Sequence, residues 1–141
     1  MFSKVSRRLL LGMALAELSV SVGCRGQSNR AAQTGGPKPN DGLADLRELL
    51  KEAAASKSPL PKNVADLEPH EGPHPAATAF LQNGSIVYLW GSGIRSDPGA
   101  DSTVIAYEAQ AASQGGWVLL QDGSIKQMTA DEFKAAKKAK G

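Results

Sequence analysis

The chain has 141 residues, 16 of them basic and 14 acidic, which is room for one small domain and a linker. Lys4, Arg7, Arg8 and Glu17 all lie in the first 23 residues, and without them the charges balance, so the basic excess is no nucleic-acid footprint. Cys24 is the only cysteine, which excludes an intramolecular disulfide, and if that thiol is consumed no metal thiolate or cysteine nucleophile remains.

The first element is an export signal. Lys4, Arg7 and Arg8 precede an apolar run from Leu9 to Val22, broken by Glu17, that closes on Ser21-Val22-Gly23-Cys24. A bilayer-spanning helix needs roughly 20 mostly apolar residues, so this shorter run predicts a cleaved signal core, not a lasting span. An unpaired carboxylate in a span costs about 2.5–3.5 kcal/mol on insertion scales, which argues the same way at Glu17. A buried core helix of a cytosolic protein is opposed by the polar, Gly-rich segment that follows.

The end of the run resembles the lipobox of bacterial lipoproteins. Gly23 and Cys24 match it, Val22 is acceptable, and Ser21 stands where an aliphatic residue is usual. The resemblance implies signal cleavage between Gly23 and Cys24, with a thioether-linked diacylglycerol on Cys24. Membrane lipid is then the first partner, since each buried methylene contributes about 0.8 kcal/mol and several acyl chains hold a soluble domain on a membrane. Arg25 occupies the place where an aspartate signals inner-membrane retention. The expected location is the cell envelope, facing the periplasm or the exterior.

Two other signals overlap this one. Ser6-Arg7-Arg8-Leu9-Leu10-Leu11 resembles the twin-arginine export motif. Gly12-Met13-Ala14-Leu15-Ala16-Glu17-Leu18 resembles the type IV prepilin cleavage region. Leu9 to Leu11 are apolar where prepilins keep charge, and the run beyond Glu17 is short for an assembly helix. The pilin reading is therefore the alternative, not the first choice.

Residues 24–40 carry no large apolar side chain after Cys24 and read as a flexible tether. The domain is expected over 41–141. Asn40 or Asp41 is predicted to cap a helix with Leu43, Leu46, Leu49 and Leu50 on one face, ending near Ser56, while Asp45, Glu48, Lys51 and Glu52 lie off that stripe. Asn63 is predicted to cap one further turn, Val64 to Leu67, closed by Pro69. Strands are then predicted at 77–81 and 86–90 around Asn83-Gly84, at 103–107, and at 117–120 and 125–128 around Asp122-Gly123. Thr129 and Glu132 form a capping box for a last helix, with Phe133 toward the sheet. The predicted class is α+β: a small antiparallel sheet of about five strands, two Asn/Asp-Gly hairpins, and a helix at each end.

The chemistry-bearing candidates are few. His70 and His74 are four apart, but Pro69, Pro73 and Pro75 forbid a helix that would give the spacing geometric meaning, so the pair is read as a solvated loop. Replacing both with Ala is then expected to cost under about 0.5 kcal/mol, the usual surface value. Asp97 and Asp101 lack the ligand spacing of a calcium loop. Gly115-Gly116 lacks a phosphate-cradling pattern and reads as the entry of a loop into a strand. Tyr88, Trp90, Tyr107 and Trp117 are assigned to the core of an aromatic-poor sheet, not to a groove. The lysines at 134, 137, 138 and 140 read as a helix end favoured by the C-terminal dipole. No catalytic residue, metal ligand or cofactor site is assigned.

Val104-Ile105-Ala106-Tyr107-Glu108, followed by Gly115-Gly116-Trp117-Val118-Leu119-Leu120-Gln121-Asp122-Gly123-Ser124-Ile125, resembles the C-terminal sheet of pilin-like and pseudopilin-like exported proteins. That resemblance implies a surface-associated, non-enzymatic protein with an envelope or secretion-system partner. The expected function is a membrane-tethered lipoprotein acting by binding or as an assembly component, with a minor pseudopilin as the alternative.

Overall fold

A computed structural model describes residues 37–141; the predicted signal, Gly12, Gly23, Cys24 and the predicted tether as far as residue 36 lie outside the described residues. The first helix, α1 (Pro39–Ser56), starts before the predicted cap. Pro39 opens it with its φ already fixed, and Asp41 accepts the Lys38 N–H at 2.8 Å. Lys57, at φ +55°, ends it. Leu43, Leu46, Leu49 and Leu50 are at most 1% exposed, which confirms the predicted stripe. Asn63 Oδ1 accepts the N–H groups of Ala65 and Asp66, as expected of a cap. The 3₁₀ turn it starts runs from Val64 to His70, through Pro69, farther than predicted.

The predicted strand at 77–81 is a helix, α2 (Pro75–Gln82). Pro75 sits in its first turn, three alanines fill the next four positions, and Ala77 and Leu81, four apart, both reach the core. Alternation over so short an apolar run does not separate strand from helix. Asn83-Gly84 consequently closes a helix: Gly84, at φ +75°, is the left-handed residue after it, and its N–H reaches Leu81 O. The first predicted hairpin does not exist.

The sheet follows, with β1 (Ile86–Tyr88), β2 (Thr103–Glu108), β3 (Gly116–Leu120), β4 (Ile125–Met128) and a fifth strand, β5 (Lys137–Lys138). The class is α+β, as predicted. The strands run β1-β2-β3-β4 antiparallel, and β5 pairs with β2 in parallel. The fifth strand is thus at the far end of the chain from the one expected. The second predicted hairpin is present: Gly123, at φ +88°, makes the turn, and Asp122 Oδ1 accepts from the Ser124 N–H and hydroxyl. Those bonds, the hydroxyl first, hold the Asp122 carboxyl below the usual range.

Two further helices, α3 (Ala111–Gln114) and α4 (Ala130–Ala135), complete the chain. Thr129 and Glu132 form the predicted capping box, and Phe133 is buried. Both faces of the sheet are covered. Leucines of α1 pack with Ala77, Leu81, Ile86, Tyr88, Ile105 and Leu119 on one side. On the other, Val104, Val118, Leu120, Met128 and Phe133 form a smaller cluster that includes Ala111 of α3. Double coverage explains why β2 and β3 read as near-continuous apolar runs. A register shift between Val104 and Ala106 turns Ile105 and Ala106 to the same larger cluster. Among the described residues Val64 is the exposed large apolar side chain, and no helix is long and apolar enough to cross a membrane.

Candidate functional site

A recess lies at the end of the sheet where β2 turns into α3 and β3 begins. There β2 ends on Glu108, which is 6% exposed. The Trp117 N–H donates to Glu108 Oε2 at 2.8 Å. This closes the β2–β3 ladder with a side chain where the backbone has turned away. Gly116 is what admits the carboxylate, because a Cβ there would stand 2.5 Å from Glu108 Oε2. Gly115 packs as closely, at φ +76°, with Met128 O 2.6 Å from where its Cβ would be. The predicted loop-to-strand role of Gly115-Gly116 therefore holds, and the glycines also form one wall of the recess.

The resulting cleft is about 530 Å³, within the range of small-molecule sites. Glu108, Gln110, Gln114, Trp117, Gln127 and Glu132 border it, and no lysine or arginine does. Glu132 is partly committed: its Oε2 accepts the Thr129 N–H at 2.7 Å and the Thr129 hydroxyl at 3.0 Å, which lowers its pKa. Glu108 forms no ion pair among the described residues.

A second constellation joins α1 to α2. His74 is 4% exposed, which overturns the expectation of a solvated histidine loop. Its Nδ1 lies 2.9 Å from Asp45 Oδ1 and its Nε2 lies 3.1 Å from Glu52 Oε2. Asp45 Oδ2 also accepts the N–H groups of Ala76 and Ala77, at 2.9 and 3.0 Å, and so caps α2 from a different helix. Burial opposes a charge on His74, but the hydrogen bonds to Asp45 and Glu52 outweigh it and raise the imidazole pKa. When protonated, the imidazole donates from both nitrogens at once, and the two carboxylates then anchor it from both sides. With both nitrogens engaged the side chain clamps α1 to α2. His70 is half-buried, with its ring centroid 6.4 Å from that of His74.

The remaining candidates fall as follows. Among the described residues no group of three or more His, Cys, Asp or Glu is spaced to hold a metal ion. Asp97 and Asp101 are exposed and border a shallow surface turn with Asp122. Tyr88 is buried, its hydroxyl donates to Ser92 O, and burial raises its pKa. Trp90 packs edge-on against Tyr88, with ring centroids 5.1 Å apart, and Tyr107 packs on Phe133. Tyr88 is thus core as predicted, and Trp90 and Tyr107 lie half-buried against the core. Trp117, half-buried as well, also borders the cleft and in that respect departs from the prediction. Lys138 donates to Phe133 O and to Ala136 O at the end of α4, the dipole role expected of it. The predicted helix end does not extend over the lysine cluster, since α4 stops at Ala135 and Lys137 and Lys138 form β5.

Glu108 and Asp45 are the two residues that sequence reasoning missed. No local pattern marks Glu108 as buried at a strand end. For Asp45 a signal did exist: Pro75 leaves the first turn of α2 with orphan N–H groups, and no residue beside it in sequence takes the two that Asp45 accepts. Comparison with family models, with curated proteins and with solved structures finds no match to this chain.

Proposed function

We propose that the protein is a membrane-tethered lipoprotein of the cell envelope, held by acylated Cys24 and acting by binding or as an assembly component. The observation that carries this reading is the order of the N-terminal residues. A basic start, an apolar run too short to span, and Gly23-Cys24 are followed by a polar stretch. The fold supports it in one respect: its first helix begins at Pro39, and the described domain keeps nearly all its large apolar side chains inside. Such a domain needs a separate device to stay at a membrane, and lipid on Cys24 supplies one. The Glu108 cleft supports binding over a purely mechanical part.

Intact mass of the membrane-extracted protein tests the anchor. The expected mass is that of residues 24–141 plus acyl chains on Cys24. Cys24→Ser is expected to block maturation and to release the protein from membranes. A Cys24→Ser protein that stays membrane-bound at the mature size sinks the reading. The pilin-like alternative rests on the Gly12-Met13 signal and on the resemblance of residues 104–125 to a pilin sheet. It requires a different product, with Met13 as the first residue.

A further inference from the structure

We propose that the Glu108 cleft binds a small organic cation carrying a primary ammonium group. This goes beyond the membrane-tether reading and does not depend on it. Glu108 is buried, and only one of its oxygens is used, by the Trp117 N–H. Among the described residues the other oxygen has no hydrogen-bond partner and is not shut off from solvent, and Glu108 borders the cleft. A carboxylate can accept about four hydrogen bonds, so most of this capacity is open to a ligand.

The surroundings fix the sign and the type of the ligand. A second carboxylate, Glu132, borders the same recess, and no basic side chain does. An anion would meet two like charges, whereas a cation finds Glu108 without an ion-pair partner and Glu132 partly offset by Lys126. Gln110, Gln114 and Gln127 line the walls and can each offer an amide carbonyl. An ammonium has three donors and no acceptor, which suits a cleft rich in carbonyl and carboxylate oxygens. A volume of about 530 Å³ leaves room for an organic body behind that head group.

The purified full chain, isotope-labelled, is titrated with n-butylammonium chloride at constant ionic strength set with sodium chloride. The Trp117 backbone amide is the reporter, because it donates directly to Glu108. Its resonance is expected to move saturably while the Trp90 amide stays in place. Glu108→Gln keeps an acceptor for that N–H and removes the charge, so it is expected to weaken binding roughly tenfold or more with little change in melting midpoint. Should Glu108→Gln fail to fold, Gln114→Lys decides, since Gln114 is exposed and a lysine there fills the cleft with its own cation. That variant is also expected to lose binding. No saturable shift, an equal shift with sodium alone (an adventitious ion only), or unchanged binding in the folded variants each overturns the proposal.

Discussion

Asp45→Ala is expected to destabilise the domain by about 2–4 kcal/mol and to remove most of its pH dependence near neutrality. The side chain holds the buried His74 and two orphan N–H groups of α2 at once. Breaking a buried pair by removing one partner costs about 3–5 kcal/mol, and a lost helix cap about 0.5–2 kcal/mol. Asp45 keeps 21% of its side-chain surface, which moderates the total. Glu52 is 71% exposed, so Glu52→Gln is expected to cost under about 1 kcal/mol, the value of a solvated ion pair.

The pH dependence follows from the raised His74 pKa. The folded state holds the proton more tightly than the unfolded chain, whose histidine titrates at about 6.5. The clamp's contribution is therefore complete below that value and is lost as pH rises through the higher folded pKa. Urea midpoints measured from pH 5.5 to 9 should fall for the wild type. The gap between wild type and Asp45→Ala should narrow over the same interval. A parallel pair of curves would show that His74 is not a cation in the fold.

Gly115→Ala is the second large effect, at about 2–5 kcal/mol. Backbone at φ +76° and ψ 171° is reached almost only by glycine and costs another residue roughly 1–3 kcal/mol, and forcing atoms into a filled space adds about 1–3 kcal/mol. Both apply here, because φ is +76° and the new Cβ meets Met128 O at 2.6 Å and Thr129 Cα at 3.1 Å. Those are backbone atoms at the junction of β4 and α4, which cannot swing aside as a side-chain tip does. Gly123→Ala is the internal reference: φ is +88°, but the nearest atom is Ile94 Cδ1 at an ordinary 3.5 Å. It is expected to show the backbone cost alone. Equal losses at the two positions, read from chemical denaturation, would contradict the packing described around Gly115.

What could be read from residues alone was what neighbours in sequence decide. The leucine stripe of α1, the Asn63 cap, the Asp122-Gly123 turn and the Thr129-Glu132 box all depend on spacings of five residues or fewer, and all are present. Residues 77–84 failed for a local reason of another kind. Ala-Ala-Thr-Ala-Phe-Leu satisfies a short strand and a short helix alike, and Asn-Gly ends either one. Asp45 and His74 are separated by 29 positions, and nothing in either segment names the other. Asp45 lies off the apolar stripe of α1, and the same geometry that makes it look solvent-facing also aims it at α2. The cleft was illegible because its wall is glycine, and the absence of side chains at 115 and 116 says nothing about which carboxylate fills the space.

The central strand has a consequence for how the protein opens. β2 is occupied on both edges: β3 lies along one, while β1 and β5 divide the other, with the Leu89 and Ala139 N–H groups bonding Ile105 O and Val104 O. Segments from before and after β2 in the chain must therefore both detach before its amides meet solvent. Hydrogen exchange at Val104 to Tyr107 then reports global unfolding, whereas β4, at the sheet's margin, exchanges through local fraying. Isotope uptake along β2 thus measures the stability of the entire domain, under native conditions and without denaturant.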